Sequence, residues 1–110
     1  MLPKTVCFKY EHCLENNPQA LKTCRAMLRY NFRVYLSTNL PKEEFCDKIY
    51  DFASNNGIDY NNIIFMSPKM KAQEIVTEHK LNWYFTGDEF EVNEMNHGMV
   101  TPIACHMSNK

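Results

Sequence analysis

Lys9, Glu11, Ser37, Thr38 and Asp88 are residues of this chain whose types suit phosphoryl chemistry. A carboxylate can attack phosphorus, move a proton or help hold Mg²⁺, while hydroxyls and ammonium groups can hold phosphoryl oxygens. They cluster after short apolar runs. Thr5-Val6-Cys7-Phe8 empties into Lys9-Tyr10-Glu11-His12-Cys13-Leu14, a second run ends in Ser37-Thr38-Asn39, and a later one ends in Thr86-Gly87-Asp88-Glu89.

The elements that must position them alternate short apolar runs with amphipathic segments, the pattern of βαβ units and a parallel sheet. Strands are expected at Thr5–Phe8, Phe32–Leu36, Ile63–Met66 and Trp83–Phe85, with an edge-like strand around Val100 and Ile103-Ala104-Cys105 beside Pro102. Ile63-Ile64-Phe65-Met66 shows no alternation, so both its faces are expected to be covered. Asn17 can cap a helix with Pro18 at its first position, and Leu21, Cys24, Met27 and Leu28 form its buried stripe before Tyr30-Asn31 ends it.

Pro41 opens a second helix with Phe45, Ile49, Phe52 and Ala53 inward, closed by Asn56-Gly57. Ser67-Pro68 begins a third, carrying Ala72, Ile75, Val76 and His79, and residues 90–95 suggest a short helix. Right-handed crossovers bring the carboxyl ends of all strands to one edge, where open α/β sheets bind ligands.

With those residues placed, the chain resembles the haloacid dehalogenase-like (HAD) superfamily of phosphatases, and within it the compact 3′-phosphatase domain of phage-type polynucleotide kinases. The resemblance implies a single-domain, three-layer Rossmann-like α/β fold spanning the whole chain. It implies a mostly parallel sheet of about five strands. The third strand would lie at one edge, followed by the second, first, fourth and fifth. That family attacks with an Asp at the end of its first strand, uses a second Asp two residues on as acid/base, and holds Mg²⁺ with carboxylates.

Carried onto this sequence, the nucleophile position falls on Lys9 and the acid/base position on Glu11, while the family's Gly-Thr falls on His12-Cys13. Ser37, with Thr38 as alternate, matches the phosphate-binding hydroxyl, and Lys69 or Lys71 the phosphate-binding lysine. Gly87-Asp88 falls on the paired acids, so one metal carboxylate is missing. Between Cys13 and Asn17 the family would place a helical turn and a hairpin flap, for which this chain has little length, and there is no room for a cap domain. A lysine ammonium has no lone pair with which to attack. A cation about 4 Å from Mg²⁺ would also cost several kcal/mol.

The implied reading is a catalytically inactive HAD-like protein that acts by binding another protein. Its Asn- and Lys-rich composition and the phage resemblance suggest a phage accessory protein with a host target. The alternatives are a divergent Mg²⁺-dependent phosphatase or nucleotidase held together by Glu11 and Asp88, and a nucleotide sensor without turnover.

Each residue has a plainer reading as well. Lys9, Glu11 and Asp88 fit a phosphate or nucleotide pocket, with Lys9 as a point cation, or a structural ion-pair cluster, which the general abundance of such networks favours. Ser37, Thr38 and Asn39 fit an anion site or, more simply, caps for the helix after Pro41. His12, His97, His106, Cys13 and Cys105 lack zinc-ligand spacing, so no metal is expected there.

The five cysteines make no CxxC pair. Cys7, Cys24, Cys46 and Cys105 fall in apolar stripes and read as reduced core residues of a cytoplasmic protein, whereas Cys13 lies on the candidate functional edge and is the one thiol to test. Net charge is −1, giving no basic excess for nucleic acid. Arg25, Arg29 and Arg33 read as a solvated strip. Tyr30, Phe32, Tyr35, Phe45, Tyr50 and Phe52 read as core and rim, and Tyr10, Tyr60 and Met99 as surface anchors for a protein partner. No signal-peptide pattern and no apolar run near the ~20 residues of a membrane span is present.

Overall fold

The computed structural model describes residues 4–15, 17–67, 72–87, 92–93 and 103–106. Strand β1 (Thr5–Lys9) runs straight into a π-helical turn (Tyr10–Leu14), followed by helix α1 (Pro18–Arg29), β2 (Arg33–Thr38), α2 (Lys42–Asn55), a 3₁₀ turn (Tyr60–Asn62), β3 (Ile63–Phe65), α3 (Ala72–His79) and β4 (Trp83–Thr86). These strands form a parallel sheet in the order β3-β2-β1-β4, and a segment β5 (Ile103–His106) pairs parallel with the outer side of β4.

Two apolar layers sandwich the sheet, as parallel strands require. Val6, Phe8, Val34 and Leu36 pack with Ala20 and Cys24 of α1 and Ile49 and Ala53 of α2. Phe8 stacks on Phe85 with ring centroids 4.5 Å apart. On the other side Cys7 and Tyr84 pack with Ile75, Leu81 and Met66. At the amino end of the sheet, Thr5 N–H donates to Asn82 Oδ1 (2.8 Å) and Asn82 N–H donates to the Thr5 carbonyl (2.7 Å), locking β4 to β1. No described helix is long and apolar enough to cross a membrane.

Local chemistry sets the helix ends. Asn17 accepts a hydrogen bond from Ala20 N–H (3.3 Å) and Pro18 opens α1. Asn31, just past α1, takes a left-handed φ of 64°, which asparagine tolerates better than most residues. Pro41 stands one position before α2, and Glu43 and Glu44 in the first turn suit the positive helix end. Asn56 caps α2, and Gly57 follows at φ 78°.

Several expectations change. β2 continues through Ser37 and Thr38 rather than stopping at Leu36. β3 is half-buried at all three residues instead of covered on both faces, because its only described sheet neighbour is β2. Tyr10 is buried at 5 % exposure rather than a surface anchor, its ring edge-on to Phe52, whereas Tyr30 is 79 % exposed and outside the core. The helical turn for which the chain had little length is present, built from residues 10–14 of the first motif itself. Pro68, Val100, Pro102 and most of the expected helix at 90–95 lie outside the described residues; 92 and 93 are helical.

A methyl group added at Gly57 would meet only Leu28 Cδ1 at an ordinary 3.8 Å, so its cost is backbone strain alone. Gly57→Ala is expected to lower stability by about 1 kcal/mol. Urea unfolding measures this, and an unchanged midpoint would contradict the left-handed assignment.

Candidate functional site

Lys9 ends β1, in register with Ser37 of β2. It is half-buried and is the last extended residue before the π turn, at φ −79° and ψ 140°. The turn closes where Glu15 N–H donates to the Tyr10 carbonyl at 2.9 Å. Tyr10, Cys13 and Leu14 face the core from it. That burial leaves Glu11 half-buried at the carboxyl edge of the sheet.

Both oxygens of Glu11 are engaged by the end of β2. The Thr38 hydroxyl donates to Oε1, and Asn39 N–H donates to Oε2 at 2.9 Å. Thr38 Oγ1 in turn accepts from Leu40 N–H at 3.1 Å. These bonds overturn the simpler expectation that Thr38 and Asn39 cap α2. The position before α2 is Pro41, and no side chain caps there. Thr38 instead closes a local turn with its own backbone and donates its hydroxyl hydrogen bond to a carboxylate far off in sequence.

Ser37 does not cap α2 either. Its hydroxyl is fully buried and finds no hydrogen-bond partner among the described residues. Strand alternation puts Ser37 and Thr38 on opposite faces of the sheet. Ser37 therefore shares a face with Lys9, while Thr38 lies on the side of α1 and α2. The structure thus brings Lys9 beside Ser37, and Glu11 beside Thr38. Lys69, Lys71 and Asp88 lie outside the described residues, as do His97 and Met99.

Among the described residues no group of three or more His, Cys, Asp or Glu is assembled that could hold a metal ion. Glu11 is the one described candidate carboxylate at this edge, and its oxygens already serve two donors. A hard cation such as Mg²⁺ would have to compete with both.

Cys13 is the clearest correction. It is fully buried, and burial, followed by its neighbours Cys7 and Cys24, pushes its thiol up to about 12. Burial likewise raises Cys24 to about 12. Thiols that hold their protons so firmly are poor nucleophiles. Cys46, on α2, is half-buried.

Two experiments probe this edge. Glu11→Ala strands the buried Thr38 hydroxyl and leaves the exposed Asn39 amide to water, and is expected to cost about 1–3 kcal/mol in chemical unfolding; a neutral effect would contradict the clasp. Native labelling with a maleimide should modify Cys46 and spare Cys7, Cys13 and Cys24, checked by peptide mass mapping. Because the native pKa of Cys13 and Cys24 lies above the ordinary 9.0, their contribution to stability is intact below pH 9 and falls as pH rises toward 12. Compared with known proteins, the chain matches no protein-family model and no curated sequence.

Proposed function

We propose that this chain is a catalytically inactive relative of the HAD phosphatases that acts by binding another protein. The observation that carries the reading is the end of β1: an ammonium side chain, Lys9, stands two residues before a carboxylate, Glu11, whose oxygens are both taken up by Thr38 and Asn39. Aspartyl-phosphate chemistry needs a carboxylate nucleophile at the first position. A lysine side chain offers no carboxylate, and its ammonium charge opposes Mg²⁺.

The family reading draws support from the sheet order β3-β2-β1-β4-β5, with β1 central and carrying the degenerate motif. The helical turn after β1, built here from residues 10–14 of the motif rather than after it, supports it further. Asn17 then caps α1 at once, so no flap intervenes to gate water from the edge. A phage accessory protein directed at a host protein is the biological setting this reading suits.

One observation favours a second reading, a nucleotide or phosphate sensor without turnover. Buried hydroxyls nearly always have partners, and Ser37 has none among the described residues. A ligand oxygen at this edge would supply one.

A single panel separates the readings. With Mg²⁺, an aryl phosphate and a 3′-phosphorylated oligonucleotide are expected to survive unhydrolysed. Turnover that Glu11→Gln abolishes would overturn the inactive reading. In thermal unfolding, a nucleotide at ~100-fold its dissociation constant would stabilise by ~2.7 kcal/mol. No shift is expected on the protein-binding reading, whereas a shift lost in Ser37→Ala would establish the sensor.

A further inference from the structure

We propose that an open pocket at the amino-terminal end of the sheet, away from Lys9, is where a protein partner docks, by inserting the cationic side chain of an exposed arginine or lysine. This rests on the binding reading above and gives it a location and a chemistry. The pocket has a volume of about 800 Å³ and is lined by Tyr50, Asp51 and Ser54 of α2 together with Ile58, Asp59 and Tyr60 from the connection into β3. That volume lies within the range of ordinary ligand sites.

The charge of the pocket selects the ligand. Among the described residues its only charged lining side chains are Asp51 and Asp59. Between Lys48 and Lys69 the sequence contains no Lys or Arg, and these two aspartates are the only charged side chains in that stretch. The pocket also lies at the carboxyl end of α2, the negative end of a helix, and the last turn of α2 carries no basic residue. Arg25, which reaches this junction from α1, is bonded to Asn56 Oδ1 at 2.7 Å. An anion would be repelled here and a cation drawn in.

The aromatic wall selects further. Tyr60 is 67 % exposed, and its ring stands edge-on to Tyr50 with centroids 6.4 Å apart. Tyr50 is itself edge-on to Phe65 of β3 at 6.1 Å. The exposed ring is thus propped from beneath by half-buried ones. Asp59 Oδ1 accepts from Asn61 N–H at 2.9 Å, capping the short turn that carries Tyr60, so acid and ring are held side by side before any ligand arrives. A guanidinium or ammonium group can lie over a tyrosine face while pairing with a carboxylate, and a site already in shape wastes less affinity on ordering. Ile58, buried at 3 % exposure, offers an apolar floor for the methylene stem of such a side chain.

The test is an NMR titration of the ¹⁵N-labelled chain with N-acetyl-arginine amide and N-acetyl-lysine amide, with N-acetyl-citrulline amide as the uncharged isostere. Saturable shifts are expected at the amides of Gly57, Asp59 and Tyr60 with the two cations and not with citrulline. The double variant Asp51→Asn, Asp59→Asn keeps the oxygen that caps the turn and should weaken binding about tenfold. Tyr60→Ala should weaken it too, with the remaining amide spectrum unchanged in both variants. Equal response to citrulline, no response, or shifts centred on Lys9 and Ser37 would overturn the assignment. So would self-association by sedimentation that Arg29→Glu abolishes, which would make a second copy the occupant. Phosphatase turnover would defeat the inactive reading without moving these amides, so the two failures are distinguishable.

Discussion

The carboxylate of Glu11, held by the Thr38 hydroxyl and the Asn39 amide, ties the first strand-to-turn junction to the end of the neighbouring strand. The rest of the carboxyl edge depends on that clasp. β1 is central and bonded on both sides. Its exit must therefore leave the sheet without exposing the two layers beneath. A π turn does so by burying Tyr10, Cys13 and Leu14 within five residues, and the clasp fixes the turn's polar side against β2. A charged acceptor bonded to two donors is worth more than an ordinary surface contact, and removing it leaves the buried Thr38 hydroxyl unmet.

The same arrangement bears on chemistry. A carboxylate spent on holding a turn is less available to hold a divalent ion, and an ammonium two residues earlier adds repulsion to that competition. On the proposed reading, an edge so arranged serves as architecture rather than for phosphoryl transfer. Recognition can then move elsewhere on the scaffold. The acidic, tyrosine-walled pocket at the other end of the sheet is built on the connection into β3, a strand that is half-buried throughout. A strand in that position can expose aromatic side chains to a partner without opening the core.

Much of the fold was legible from local chemistry. Asn17-Pro18 announces α1, Asn56-Gly57 closes α2, and the alternation of apolar runs with amphipathic segments implies the parallel sheet. What was hidden depends on tertiary placement. The spacing of Tyr10, Cys13 and Leu14 is helical and could have revealed the turn, but five residues beside a strand end read equally well as a loop. The bond between Glu11 and Thr38 spans 27 positions and follows only from sheet register. The same apolar run serves a covered strand or an edge strand, so Ile63-Ile64-Phe65 could not disclose its half-exposure. Cys13 stood out in sequence because it lies on the candidate edge, whereas its depth in the core pushes its thiol pKa up. Tyr60 was legible as a surface anchor, but Asp51 and Asp59 carry no signal in sequence, and only the return of the chain around the end of α2 gathers the three.

The most direct test of the central claim, that the carboxyl edge no longer supports a metal-dependent phosphatase, is an electron paramagnetic resonance titration with Mn²⁺ as a stand-in for Mg²⁺. The account predicts that the native chain leaves the free Mn²⁺ signal unchanged at millimolar metal. A native chain that captures Mn²⁺ stoichiometrically, and releases it when Glu11 is replaced by Gln, would contradict the claim.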